Sequence, residues 1–124
     1  MPSPAIALLL SDDLLFISRI AGTARAIGLD LKSARGMTEF ISLANVQAPA
    51  CALIDLHNPG LDIGALVRQI KDAGNSYIVG YGSHVDAATL KAAREAGCDL
   101  VLPRSKFVEE LATALPKWFQ QNAT

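Results

Sequence analysis

Residues 5–28 read AIALLLSDDLLFISRIAGTARAIG, and the change of period inside this stretch decides the fold. Residues 5–10 are an unbroken apolar run with no alternation, as in a strand buried on both faces of a sheet. Ser11-Asp12-Asp13 ends it. Leu14, Ile17, Ile20, Ala24 and Ile27 then recur at steps of three and four, which makes one apolar helix face, and Gly28 supplies a C-terminal cap. A buried strand followed by an amphipathic helix is one βα unit, and parallel sheets are built from such units.

Working outward, four more units follow. Residues 29–34 alternate and predict a less buried strand near an edge, with a helix carrying Met37, Phe40, Ile41 and Ala44 before Pro49. Residues 51–54 are a third strand that delivers Asp55 to its end; beyond the loop His57-Asn58-Pro59-Gly60 comes a helix with Ile63, Leu66, Val67 and Ile70, and Gly74 near its end. Residues 77–81 form the fourth strand and lead through Gly82 to Ser83, the expected N-cap of the fourth helix with Asp86 completing a capping box; Gly97 ends that helix. Residues 99–102 form the fifth strand, stopped by Pro103. Ser105 is the expected N-cap of the last helix, whose stripe is Val108, Leu111, Leu115 and Trp118 and which Pro116 should kink or fray. No linker interrupts the series, so one domain over residues 1–124 is expected, with its core at about residues 5–119.

Composition agrees and narrows the function. With 124 residues, 51% of them apolar and 19% charged, the chain can build a core without disulfides or a structural metal. A net charge of -1 removes the polybasic signature of nucleic-acid or anionic-membrane binding. The two cysteines, Cys51 and Cys98, are neither a disulfide framework nor a zinc site, and read as small buried fillers in a reduced, cytoplasmic setting. The apolar run near the N-terminus is too short for a signal peptide or a membrane span.

In open parallel α/β sheets the functional crevice lies beyond the carboxyl ends of the strands. Those ends carry Asp12 and Asp13, then Asp55, then Gly82 with Ser83, then Pro103 with Arg104. Three carboxylates are therefore expected to converge beside one arginine. Like charges that close oppose one another's ionisation unless a cation compensates, and a hard divalent ion with oxygen ligands, Mg2+, is the expected solution.

These residues resemble the receiver domain of two-component response regulators. The resemblance runs from LLLSDD (residues 8–13) through LIDLHNPGLD (residues 53–62) to AREAGCDLVLPR (residues 93–104). In that family two acidic residues end the first strand, an aspartate ends the third, and a proline follows it by four positions; here these are Asp12, Asp13, Asp55 and Pro59. The resemblance implies a doubly wound (βα)5, flavodoxin-like three-layer sandwich with a parallel five-stranded sheet in the order 2-1-3-4-5. It also implies a phosphorelay role rather than a dedicated enzyme. Asp55 would accept a phosphoryl group from a phosphohistidine of a sensor histidine kinase or phosphotransfer protein. Asp13, Asp55 and the His57 backbone carbonyl would hold Mg2+, with Asp12 helping through water.

Three family positions differ. The fourth-strand hydroxyl position falls on Gly82, with Ser83 one residue late as a substitute hydroxyl. The fifth-strand lysine falls on Arg104, whose planar fork places its donors differently from an ammonium; Lys106, two residues on, is expected to face solvent. The aromatic switch position falls on Val101. Two expectations follow: a phosphorylatable receiver with an unusual readout, or a pseudo-receiver that binds a protein partner whatever its phosphorylation. A nucleotide-binding enzyme of the same shape is disfavoured, since no G-x-G-x-x-G or P-loop follows a strand.

With no attached output domain expected, the chain should signal by contact, through a homodimer or target-protein surface on residues 87–119, from Ala87 to Phe119, whose mixed charges name no partner. The remaining residues read plainly: His57 and His84 as exposed loop histidines, Asp62 as a charge favoured at a helix start, and Trp118 as core.

Overall fold

The computed structural model describes residues 4–121, and all ten expected elements are present. They are β1 (Ile6–Leu10), α1 (Leu14–Ala26), β2 (Asp30–Ala34), α2 (Met37–Val46), β3 (Cys51–Asp55), α3 (Ile63–Ala73), β4 (Tyr77–Gly82), α4 (Ala87–Ala96), β5 (Leu100–Pro103) and α5 (Arg104–Gln120). The strands form one parallel sheet in the order β2-β1-β3-β4-β5, as expected. Both β1 and β3 are buried along their whole length, whereas the edge strand β2 alternates between exposed and covered residues.

Alternation along each strand divides the core into two layers. Ile6, Leu8 and Leu10 of β1 pack with Phe40 of α2, Leu66 and Ile70 of α3 and Leu90 of α4. Ala7 and Leu9 face the other way, against Ile20 and Ala24 of α1 and Phe107, Leu111, Leu115 and Trp118 of α5. Each fully buried Leu or Ile contributes about 1.5–3 kcal/mol, and such residues make up most of β1 and include Leu53 and Ile54 of β3. Cys51 lies in the α1/α5 layer and Cys98 packs on the other, both as free thiols; burial pushes them up, to about 12 and about 11 respectively.

Helix ends follow local chemistry with three corrections. Gly28 and Gly97 adopt positive φ (76° and 109°) beyond α1 and α4, where a Cβ would be strained. Ser83 is not the N-cap of α4. That cap is Asp86, whose carboxylate accepts from the Thr89 N–H at 3.1 Å, so the expected partner is the cap itself. Nor does Ser105 cap α5, because the helix starts one residue earlier at Arg104, directly after Pro103, which is the N-cap with an extended backbone (φ -58°, ψ 146°) and no side-chain cap. Finally, α5 continues through Pro116 to Gln120; the carbonyl left without a partner belongs to Ala112, which is exposed. Leu14, counted in the α1 stripe, is 61% exposed because the first turn of α1 projects past the end of the sheet.

Candidate functional site

The carboxyl ends of β1, β3, β4 and β5 surround a cleft of about 1060 Å³. Strand register places its floor. Leu10 pairs with Ile54, so Ser11 is the next residue alongside Asp55, and Asp55 in turn pairs with Tyr81. Ser11 is fully buried; its N–H donates to the Ala34 carbonyl at 3.1 Å and its hydroxyl donates to Asp55 Oδ2 at 3.4 Å. The other Asp55 oxygen, Oδ1, accepts from the His57 N–H at 2.9 Å. Asp55 is only 8% exposed, yet among the described residues no cation lies within ion-pair distance of it. A nearly buried carboxylate left uncompensated is costly and favours a cationic ligand.

Asp13 lines the same cleft as Asp55, with both of its carboxylate oxygens bound to other partners. Its Oδ1 accepts from the Phe16 N–H at 3.1 Å as the N-cap of α1, and its Oδ2 accepts from Arg104 Nη2 at 3.1 Å. The Phe16 N–H, followed by the Arg104 guanidinium, holds the Asp13 carboxyl below the usual carboxylate range. Arg104 also lies 4.3 Å over the Phe16 ring, so two contacts fix it to α1 rather than to Asp55. Asp12 is exposed and lines the cleft. Among the described residues no three His, Cys, Asp or Glu side chains gather as metal ligands.

The far wall is built by His57, an exposed loop histidine as expected, whose ring is nevertheless hydrogen-bonded. Its Nε2 accepts from the Ser83 N–H at 2.9 Å, and Nδ1 lies 4.0 Å from Asp86 Oδ2. Accepting at Nε2 leaves the ring proton on Nδ1, facing Asp86. Bonds from Thr89, reinforced by His57, hold the Asp86 carboxyl low. Gly82 makes room for this ring, since a Cβ there would stand 3.0 Å from His57 Nε2. Ser83 lines the cleft, with its hydroxyl accepting from the Val85 N–H at 3.4 Å. His84 is exposed at the same rim. Lys106 faces solvent and pairs with Glu110 at 3.7 Å, Asp62 caps α3 through the Ala65 N–H, and Val101 is buried in the α4 layer.

Sequence reasoning missed Ser11 and Tyr81. Tyr81 is fully buried, stacked on Phe107 with 4.4 Å between centroids and tilted against Phe16 at 5.2 Å. Burial, with the Asp55 charge in second place, raises its phenol against the opposing pull of the Ser11 hydroxyl, and among the described residues its own hydroxyl makes no hydrogen bond of good geometry. Alternation could have put Asp55 on the face of residues 51 and 53, but its pairing with Tyr81 is a matter of strand register.

Solved structures similar to this chain include response-regulator receiver domains. A response-regulator receiver domain from Clostridium thermocellum superposes with a TM-score of 0.80 at 18% identity, covering 95% of this chain and 96% of that one. The chain has the receiver fold. A CheY-like receiver domain from Methanospirillum hungatei matches the receiver fold equally well, with a TM-score of 0.84, 13% identity and 98% of both chains covered. A response regulator from Burkholderia pseudomallei, solved with a phosphorylated aspartic acid, a calcium ion and citrate, matches at TM-score 0.78 and 21% identity over 95% of this chain and 70% of that one. No family model and no curated protein sequence matches the chain.

Proposed function

We propose that this chain is a phosphorelay receiver in which Asp55 accepts a phosphoryl group from a phosphohistidine on a sensor histidine kinase or phosphotransfer protein. The observation that carries this reading is Asp55 itself: a carboxylate at the end of a central strand, 8% exposed, lining an open cleft, with no cation among the described residues within ion-pair distance. In the transfer an Asp55 oxygen attacks phosphorus, the P–N bond breaks, and the departing imidazole nitrogen takes a proton from solvent. Such transfer depends on positioning and on charge stabilisation more than on covalent chemistry from the protein. Ser11 and the His57 N–H orient the nucleophile from two sides. Leu14 and Leu15 are exposed where α1 meets the cleft, an apolar border for an incoming partner.

The donors fit Mg2+, which commonly takes only one or two carboxylates and keeps several waters. Asp12, Asp55 and the His57 carbonyl would hold it, and Asp13 would contribute only on release from Arg104. When bound, the ion neutralises charge on the phosphoryl oxygens. The protein is then a cytoplasmic phosphoacceptor rather than a dedicated enzyme, and it reads out through residues 87–119, to a second copy or a target protein, without nucleic-acid or membrane contact. The B. pseudomallei protein, with its phosphorylated aspartic acid, supports the reading by similarity of fold.

A second reading, a phosphorylation-independent binding module, draws support from Arg104 committed to Asp13 and from His57 lying over Gly82. Intact mass after incubation with Mg2+ and acetyl phosphate separates the two. The first predicts a base-labile gain of one phosphoryl group that Asp55→Asn abolishes. The second predicts no gain in either protein.

A further inference from the structure

We infer that the hydroxyls of Tyr81 and Ser11 form a hydrogen-bond cradle for the anionic group carried on Asp55, reached from the α1/α5 side of the sheet. The inference rests on Asp55 being the phosphoacceptor. Three observations converge on it. Tyr81 and Asp55 are register partners on neighbouring strands, so their side chains leave the same face of the sheet one strand spacing apart. Ser11, next along the same row, already donates to Asp55 Oδ2 at 3.4 Å, a long contact for an O–H donor. The Tyr81 hydroxyl, on a residue with no exposed surface, makes no hydrogen bond of good geometry among the described residues, the Ser11 hydroxyl being the neighbour it feels, although it belongs to the wall of the cleft.

A buried hydroxyl without a partner costs free energy comparable to a lost hydrogen bond, so each one calls for an explanation. Packing accounts for the ring: Phe107 stacks on it, and Phe16 lies against it. A phenylalanine would keep both contacts, so packing does not account for the oxygen. A phosphoryl group on Asp55 brings three acceptor oxygens into the cleft. The donors at the two positions nearest by fold, the ends of β5 and β4, are committed or missing. Arg104 is tied to Asp13 and Phe16, and β4 ends in Gly82, which has no side chain. Tyr81 then supplies from the opposite face of β4 the hydroxyl that position 82 lacks.

The test is titration with beryllofluoride and Mg2+, followed by 19F NMR, on the full chain and on Asp55→Asn, Tyr81→Phe, Ser11→Ala and Tyr77→Phe. Wild type and Tyr77→Phe should bind alike and Asp55→Asn not at all. Tyr81→Phe, which removes one atom and keeps the stacked ring, should bind about tenfold more weakly, the loss expected of one hydrogen bond to a charged acceptor. Ser11→Ala should fall in the same direction. In Tyr77→Phe, where Tyr81 is the only tyrosine, saturation should shift the near-ultraviolet tyrosine absorbance to the red, a signature that a merely structural ring would not give. Binding by Tyr81→Phe as tight as wild type, with no absorbance shift in Tyr77→Phe, overturns the cradle and leaves Asp55 as acceptor. Absence of binding and of phosphoryl mass gain in the wild type overturns both.

Discussion

At the scale of single residues, the site is defined by what each side chain is already bound to. Gly82 and His57 are coupled, because the imidazole occupies the space a side chain at position 82 would need. Gly82→Thr, the substitution that would restore a β4 hydroxyl, should therefore drive His57 off the Ser83 N–H, and amide exchange at Ser83 should speed up several-fold. Unchanged protection of that amide would show that the ring can share the space. Asp13 makes a second prediction through pH. Its folded-state pKa lies below the ordinary value of 3.8, so its contribution to stability is present above that value and is lost as pH falls through the lowered one. Denaturant midpoints measured from about pH 5 to about pH 2 should fall more steeply in wild type than in Asp13→Asn. The acidic residues were legible in the chain; their allegiances were not. Asp12, Asp13 and Asp55 look equivalent as letters, and only the first turn of α1 assigns Asp13 to the Phe16 N–H and Arg104.

At the scale of elements, period was a sound guide and caps were not. Continuous or alternating strand runs and three- and four-residue helix spacing located the elements other than α4, which its end signals placed, because burial on one face or two imposes those periods. Between β4 and α4, however, Ser83 and Asp86 are both competent N-caps. The choice falls to Asp86 because β4 extends through Gly82 and the Ser83 N–H is taken up by His57. Likewise Pro116 lies inside α5 because Leu115 and Trp118 hold both sides of it in the core. Tertiary packing thus overrides a local propensity of about 3 kcal/mol. Pro116→Ala should accordingly stabilise the fold, by up to about 3 kcal/mol in urea denaturation; a neutral or negative change would mean that the ring makes compensating contacts.

At the scale of the whole molecule, stability and function compete at Asp55. An almost buried carboxylate without a cation opposes folding, so Asp55→Asn should melt above wild type in the absence of divalent ions, by about 1–2 kcal/mol. Millimolar Mg2+ should raise wild type alone and narrow the gap, since a ligand that binds only the folded state stabilises it by mass action. An Asp55→Asn protein that melts no higher without Mg2+, or that gains as much from it, would place the destabilising charge elsewhere. By itself the sequence determined the βα alternation, the two-faced burial of β1 and β3, and the delivery of Asp55 to a strand end, because these are consequences of local period and burial. Only the tertiary structure decided that Ser11 and Tyr81 flank Asp55, that His57 lies over Gly82, and that Arg104 turns to Asp13. Those pairings join residues 25 to 91 positions apart in the chain, and they are set by strand register and side-chain packing, which no local pattern encodes.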